Sequence, residues 1–137
     1  MTGFADVSSA FVQAWVSGGL GYPTAYEAID FTPPTDAPWC ELKVLPVNAQ
    51  AAALGDVAPI EHVVLGQIDI NYPAGQGAGP LLADADTVAA LFQPGAIFTY
   101  NGMRLVSSYC QRSQIMRDGA YNVVSLTTKL RGWQHRA

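Results

Sequence analysis

The stretch Ile60–Tyr72, IEHVVLGQIDINY, decides how this chain folds. Val64, Ile68, Ile70 and Tyr72 fall on one side of an extended backbone, and Gln67, Asp69 and Asn71 on the other. Successive side chains of a strand point to opposite faces, so the spacing predicts a half-buried strand. Upstream, Trp39–Val47 repeats the pattern, with Cys40, Leu42 and Val44 against Glu41, Lys43 and Leu45. Between the two strands lies the Ala-rich stretch Asn48–Pro59, too long for a tight hairpin turn. It reads as a short helical turn or a projecting loop, and a loop of that length is a candidate contact element.

Farther out, the period changes. Phe4, Val7, Phe11, Ala14 and Trp15 make one helical stripe, which Thr2 or Asp6 would cap and Gly18-Gly19 would end. Pro23, Pro33, Pro34 and Pro38 exclude helix before Trp39 and leave room for an extended piece, Ala25–Phe31. Pro80 suits the first turn of a second helix, whose apolar face is Leu82, Ala85, Ala89 and Phe92, widened by Leu81 and Val88. Pro94-Gly95 ends it. Asn101-Gly102 and Asp118-Gly119 are hairpin turn signals joining extended segments Ala96–Tyr100, Met103–Met116 and Ala120–Gly132. The order helix, strands, helix, strands predicts an α+β fold in a single domain, residues 1–137, with a mostly antiparallel β-sheet covered by two α-helices.

Charge is scarce. Of 137 residues, 13% are charged, about half the usual share of roughly 25%. Half are hydrophobic, and the mean hydropathy is +0.16. A membrane span is excluded, because the charge-free run Val7–Tyr26 is interrupted by Gly18-Gly19 and Pro23. The start, MTGFADVSS, has neither the basic nor the apolar region of a signal peptide, and Cys40 and Cys110 read as reduced thiols. Contact with other protein subunits best accounts for the missing charge, since interface cores are depleted in it. The charges are also sorted: residues 1–103 hold ten acids and one base, whereas 104–137 hold six bases and one acid. Folding mixes these halves into one screened surface, sets an acidic and a basic face against each other in a head-to-tail assembly, or leaves a basic C-terminal segment to touch phosphate, a reading that lacks aromatic interleaving.

No arrangement of residues announces catalysis. His62 and His135 are far in sequence from each other and from Cys40 and Cys110, without zinc-site spacing. Asp84 and Asp86, two apart on a helix, point away from one another and read as acids favoured near a helix start. Gly75-Gln76-Gly77-Ala78-Gly79 follows a strand and opens a helix, yet it has neither the dinucleotide nor the phosphate-loop spacing. The expectation is no enzyme, no metal and no cofactor. Trp39, Tyr72 and Trp133 stand at element ends, as core lids or as interface anchors.

One family shares this organisation. Phe31-Thr32-Pro33-Pro34, followed by Ala37-Pro38-Trp39-Cys40-Glu41-Leu42-Lys43-Val44-Leu45-Pro46, resembles the opening of phage tail terminator-like proteins. The similarity continues through Leu54-Gly55, the strand Leu65–Pro73, Gly75-x-Gly77, the helix Leu81–Phe92, Pro94-Gly95 and the strands ending near Trp133, and so covers residues 22–133. The resemblance implies a structural virion protein without catalytic residues. It implies a ring, expected to be hexameric, on the head-proximal end of the tail tube. Such a ring ends tube polymerisation and offers a surface for head-to-tail joining.

On this reading the partners are other copies of the chain, the tail tube protein and the head-tail connector or adaptor. DNA passes through the ring without sequence-specific binding, and assembly takes place in the host cytoplasm. Ring closure needs two different faces. Asp30, Asp36 and Asp56 are the expected acidic side, and Arg112, Arg117, Lys129 and Arg131 the basic side. Asn48, Gln50, Leu54 and Asp56 are the expected contacts to tube or connector. Two other readings stand beside it: a tail tube subunit or connector adaptor, and a small cytosolic enzyme or ligand-binding module using the Gly75–Gly79 loop.

Overall fold

The computed structural model describes the backbone of residues 4–51 and 60–134, and the side chains of 5–47 and 60–133. Helix α1 (Phe4–Gly18) is followed by a two-residue strand, β1 (Thr24–Ala25), and the long strands β2 (Trp39–Ala51) and β3 (Ile60–Pro73). Helix α2 (Gly79–Leu91) leads to β4 (Ile97–Tyr100), β5 (Met103–Arg112), β6 (Met116–Asp118) and β7 (Tyr121–Gln134). The strands form one sheet in the order β1-β2-β3-β7-β5-β4, with β6 added against the start of β7. Every pairing is antiparallel except β1 with β2. The expected α+β domain is therefore what the chain forms.

The alternation read from Ile60–Tyr72 sets the core. Cys40, Leu42, Ile68, Ile70, Leu126 and Leu130 are buried on one side of the sheet, and both helices pack there. Helix α1 contributes Val7, Phe11 and Trp15 from the expected stripe. Its Phe11 ring lies so close to β3 that a Cβ on Gly66 would come within 2.6 Å of it; glycine is what lets helix and strand approach. Phe92 stands between Phe11 and Phe98, with ring centroids 5.4 and 5.3 Å away.

Five expectations are corrected. The buried stripe of α2 is Leu81, Ala85, Val88 and Phe92, while Leu82 is exposed and Ala89 only half-buried; spacing of four, three and four fits the helical repeat better. The extended piece expected over Ala25–Phe31 stops at Ala25, because the chain turns at Ala28 with a φ of 60°. That turn places the Glu27 carboxylate to accept the Val44 backbone N–H at 2.7 Å on the free edge of β2.

Third, Asn48 to Ala51 are not loop. Strand β2 continues past Pro46 through a bulge, and Asn48, Ala49, Gln50 and Ala51 pair with Val63, His62, Glu61 and Ile60. A bulge tolerates a residue without an N–H. Leu54 and Asp56 lie outside the described residues, as do Thr2 and His135. Fourth, the segment expected as Met103–Met116 breaks after Arg112, where the Ser113 hydroxyl accepts the Ser125 N–H in place of a ladder carbonyl. The Asn101-Gly102 turn has the expected positive φ at both residues, 51° and 80°. The second hairpin turns one residue later than Asp118-Gly119, since Asp118 pairs with Tyr121 across Gly119-Ala120.

Candidate functional site: an interaction surface

Several polar groups on the helix side of the sheet are tied to each other. Ser107 donates to the Phe92 carbonyl at 2.8 Å, close after the end of α2, and its oxygen is 2.9 Å from that of Thr128. Asp84 of α2 accepts the hydroxyls of both Tyr22, at 2.7 Å, and Tyr72. This clamp joins the segment after α1, strand β3 and helix α2. Burial pushes both phenol pKa values up, and the neighbouring carboxylate adds to the shift. Asp84 thus binds tyrosines from the second turn of α2 instead of offsetting the helix dipole. Its place three residues after buried Leu81 is the signal that marks it as half-buried.

These groups do not make a nucleophile. Burial pushes the Cys40 thiol up to about 12, with Asp84 and Asp69 adding to the effect. Burial also raises the Cys110 thiol, against the opposing pull of Arg112. Catalytic thiols need the reverse shift. Both cysteines are free. Among the described residues no cluster of three or more metal-ligating side chains occurs, and no helix is long and apolar enough to cross a membrane.

The other side of the sheet is different. The Phe31–Pro34 segment covers only its Trp39–Tyr121 end. There Trp39 packs on Phe31 and Tyr121, with centroids 5.4 and 6.0 Å apart, and the Tyr121 hydroxyl donates to the Pro34 carbonyl. Trp39 and Tyr72 are thus held by contacts within the chain. The rest of this face carries Glu41, Lys43 and Leu45 of β2, Leu65, Gln67 and Asp69 of β3, and Ser125, Thr127, Lys129 and Arg131 of β7, all at least partly exposed, with Glu61 and Val63 buried among them.

The expected basic residues are divided by the fold. Lys129 and Arg131 share the uncovered face, beside Leu65 and Val63. Arg131 reaches Glu61 at 2.8 Å. Arg112 turns to the helix side and meets Asp86 at 2.6 Å. Arg117 stands on the β6–β7 hairpin, donating its Nε–H to the Gly119 carbonyl. Among the described residues, Arg104, Arg117 and Lys129 have no carboxylate within ion-pair distance. Asp30 and Asp36 are exposed in the connection between β1 and β2. Asn48 and Gln50 belong to the paired part of β2.

The family model for phage tail terminator proteins matches residues 6–129 of the chain. The chain belongs to this family. A solved structure 20% identical in sequence aligns over 100% of this chain and 98% of its own, with a TM-score of 0.70, and so shares the fold. No curated protein sequence matches the chain. As a tail terminator family member it is a structural component of the phage tail. Sequence reasoning missed one feature of this surface: an apolar groove between α1 and β2, whose residues Val12, Val16 and Ile29 belong to no motif.

Proposed function

We propose that the chain forms a closed ring, a hexamer, on the head-proximal end of the tail tube, where it ends tube polymerisation and provides the surface for head-to-tail joining. The match to the terminator family over residues 6–129 carries this reading. The low charge content and the uncovered face support it, because a ring subunit has neighbours on both sides and partners above and below. DNA would pass through the centre without sequence-specific contact. Assembly would take place in the host cytoplasm, with no chemistry and no cofactor required.

Closure needs a heterologous interface. In this proposal Asp30, Asp36 and Asp56 of one copy face Arg117 and Lys129 of the next. Arg112 and Arg131 contribute less, being already bonded to Asp86 and Glu61. Low salt should strengthen the ring and high salt weaken it. Asn48, Gln50, Leu54 and Asp56 would touch the tube or connector.

Deleting the coding sequence from the phage that carries it, and imaging the lysate, tests the role. The proposal expects tubes of uncontrolled length without heads. Headed tails of normal length would refute it. An absence of tubes would identify a tube subunit instead.

A further inference from the structure

Between α1 and the free edge of β2 runs an open groove of about 410 Å³. Its walls are Val12 and Val16 of α1, Leu42 and Val44 of β2, and Ile29 from the turn between β1 and β2. Val16 is 62% exposed and Ile29 65%, so the groove presents greasy walls to solvent. Its one charged lining residue is Glu27, and exposed Asp30 follows Ile29 directly. An occupant should therefore be aliphatic with a cation beside it.

The chain carries such a segment elsewhere. Ile115 and Met116 are 39% and 49% exposed, adjacent, and followed at once by Arg117. The hairpin's own acid, Asp118, sits farther along at the turn, opposite Tyr121. The base of the hairpin is held firmly: Ser113 N–H donates to the Ser125 carbonyl at 2.8 Å, and Ser125 N–H to the Ser113 hydroxyl at 2.9 Å. An anchor held in place in advance loses little freedom on docking.

The two features lie on opposite sides of the sheet. The groove flanks β1 and β2 at one edge, whereas β6 pairs with β7 on the side that β5 occupies, with β3 and β7 in between. A single copy can thus use both at once, which a self-closing chain of subunits requires. We infer that Ile115 and Met116 of one copy insert into the α1–β2 groove of the next, with Arg117 against Glu27 and Asp30. This inference rests on the ring reading and names its central contact. Aliphatic anchors in a desolvated pocket are where interface energy concentrates.

Two double variants test it: Val16→Glu with Ile29→Glu in the groove, and Ile115→Glu with Met116→Glu on the hairpin. All four positions are exposed, so thermal unfolding should stay close to wild type. If either variant melts early, Val16→Ser and Met116→Ser replace them. Each variant alone should remain a 14.6 kDa chain under conditions where wild type assembles. A mixture should give a dimer of about 29 kDa and nothing larger, because each variant retains the surface the other lacks. Variants that assemble like wild type would overturn the hairpin–groove contact and leave the ring reading standing. A mixture that stays monomeric would likewise overturn it. A wild type that never leaves 14.6 kDa would sink the ring reading and this inference together.

Discussion

The two faces of the sheet use the same alternation to opposite ends. On the helix side the residues beneath α1 and α2 are sealed, apart from the groove at the β2 edge, and Asp84 binds two tyrosines while Ser107 binds Thr128 and the end of α2. On the other side Leu45, Leu65 and Val106 stay at least partly exposed among a few charges. One face is largely finished within the chain; the other is left open, and in the proposed ring neighbours would finish it. Substitutions beneath the helices should therefore act on folding, and substitutions on the open face or in the groove on assembly.

The sharpest way to break this division is at Phe11. It is fully buried against Phe92 and Gly66, and Phe11→Ala should cost about 3–5 kcal/mol of stability, read by urea unfolding. A smaller effect is expected from Gly66→Ala, whose added methyl collides with a ring that has nowhere to move. It should lose roughly 1–3 kcal/mol. Phe11→Leu in the same background should recover part of that loss.

The Tyr72 hydroxyl gives a further step. Tyr72→Phe leaves the Asp84 carboxylate with Tyr22 alone, and should cost about 1 kcal/mol. pH sharpens the same point. The Cys40 thiol is raised from 9.0 to about 12, and Tyr72 is raised as well. A group raised on folding favours the folded state while it stays protonated. The stability it contributes is complete below pH 9 and disappears as pH climbs through 12. Urea midpoints should fall over that window, less steeply in Cys40→Ala.

At the small end, Arg112→Ala breaks a surface pair with Asp86. It should change stability by less than about 1 kcal/mol. A larger loss would mean that the pair is more than a surface contact.

Much of the fold was legible because it rests on local periodicity. The Ile60–Tyr72 alternation, the α1 stripe and the Asn101-Gly102 turn each depend on residues close in sequence. What escaped depends on contacts far apart. Nothing near Glu27 signals that it binds the Val44 N–H, and nothing near Asp84 names Tyr22 and Tyr72 as its partners. The Ala-rich run after Pro46 has weak strand preference, yet pairing with β3 carries it to Ala51. The charge asymmetry was visible as a count. Only the structure separates Arg112, turned toward α2, from Lys129 and Arg131 on the uncovered face. The groove was invisible because Val12, Val16 and Ile29 come together only when α1 crosses the β2 edge.

The central claim is that two different surfaces of one chain meet and close. Native mass measured across a rising protein concentration tests it most directly. Closure predicts one plateau, at about 88 kDa for six copies of the 14.6 kDa chain, with rings by negative stain. A mass that keeps climbing without a plateau, or one that stays at a single chain throughout, would contradict it.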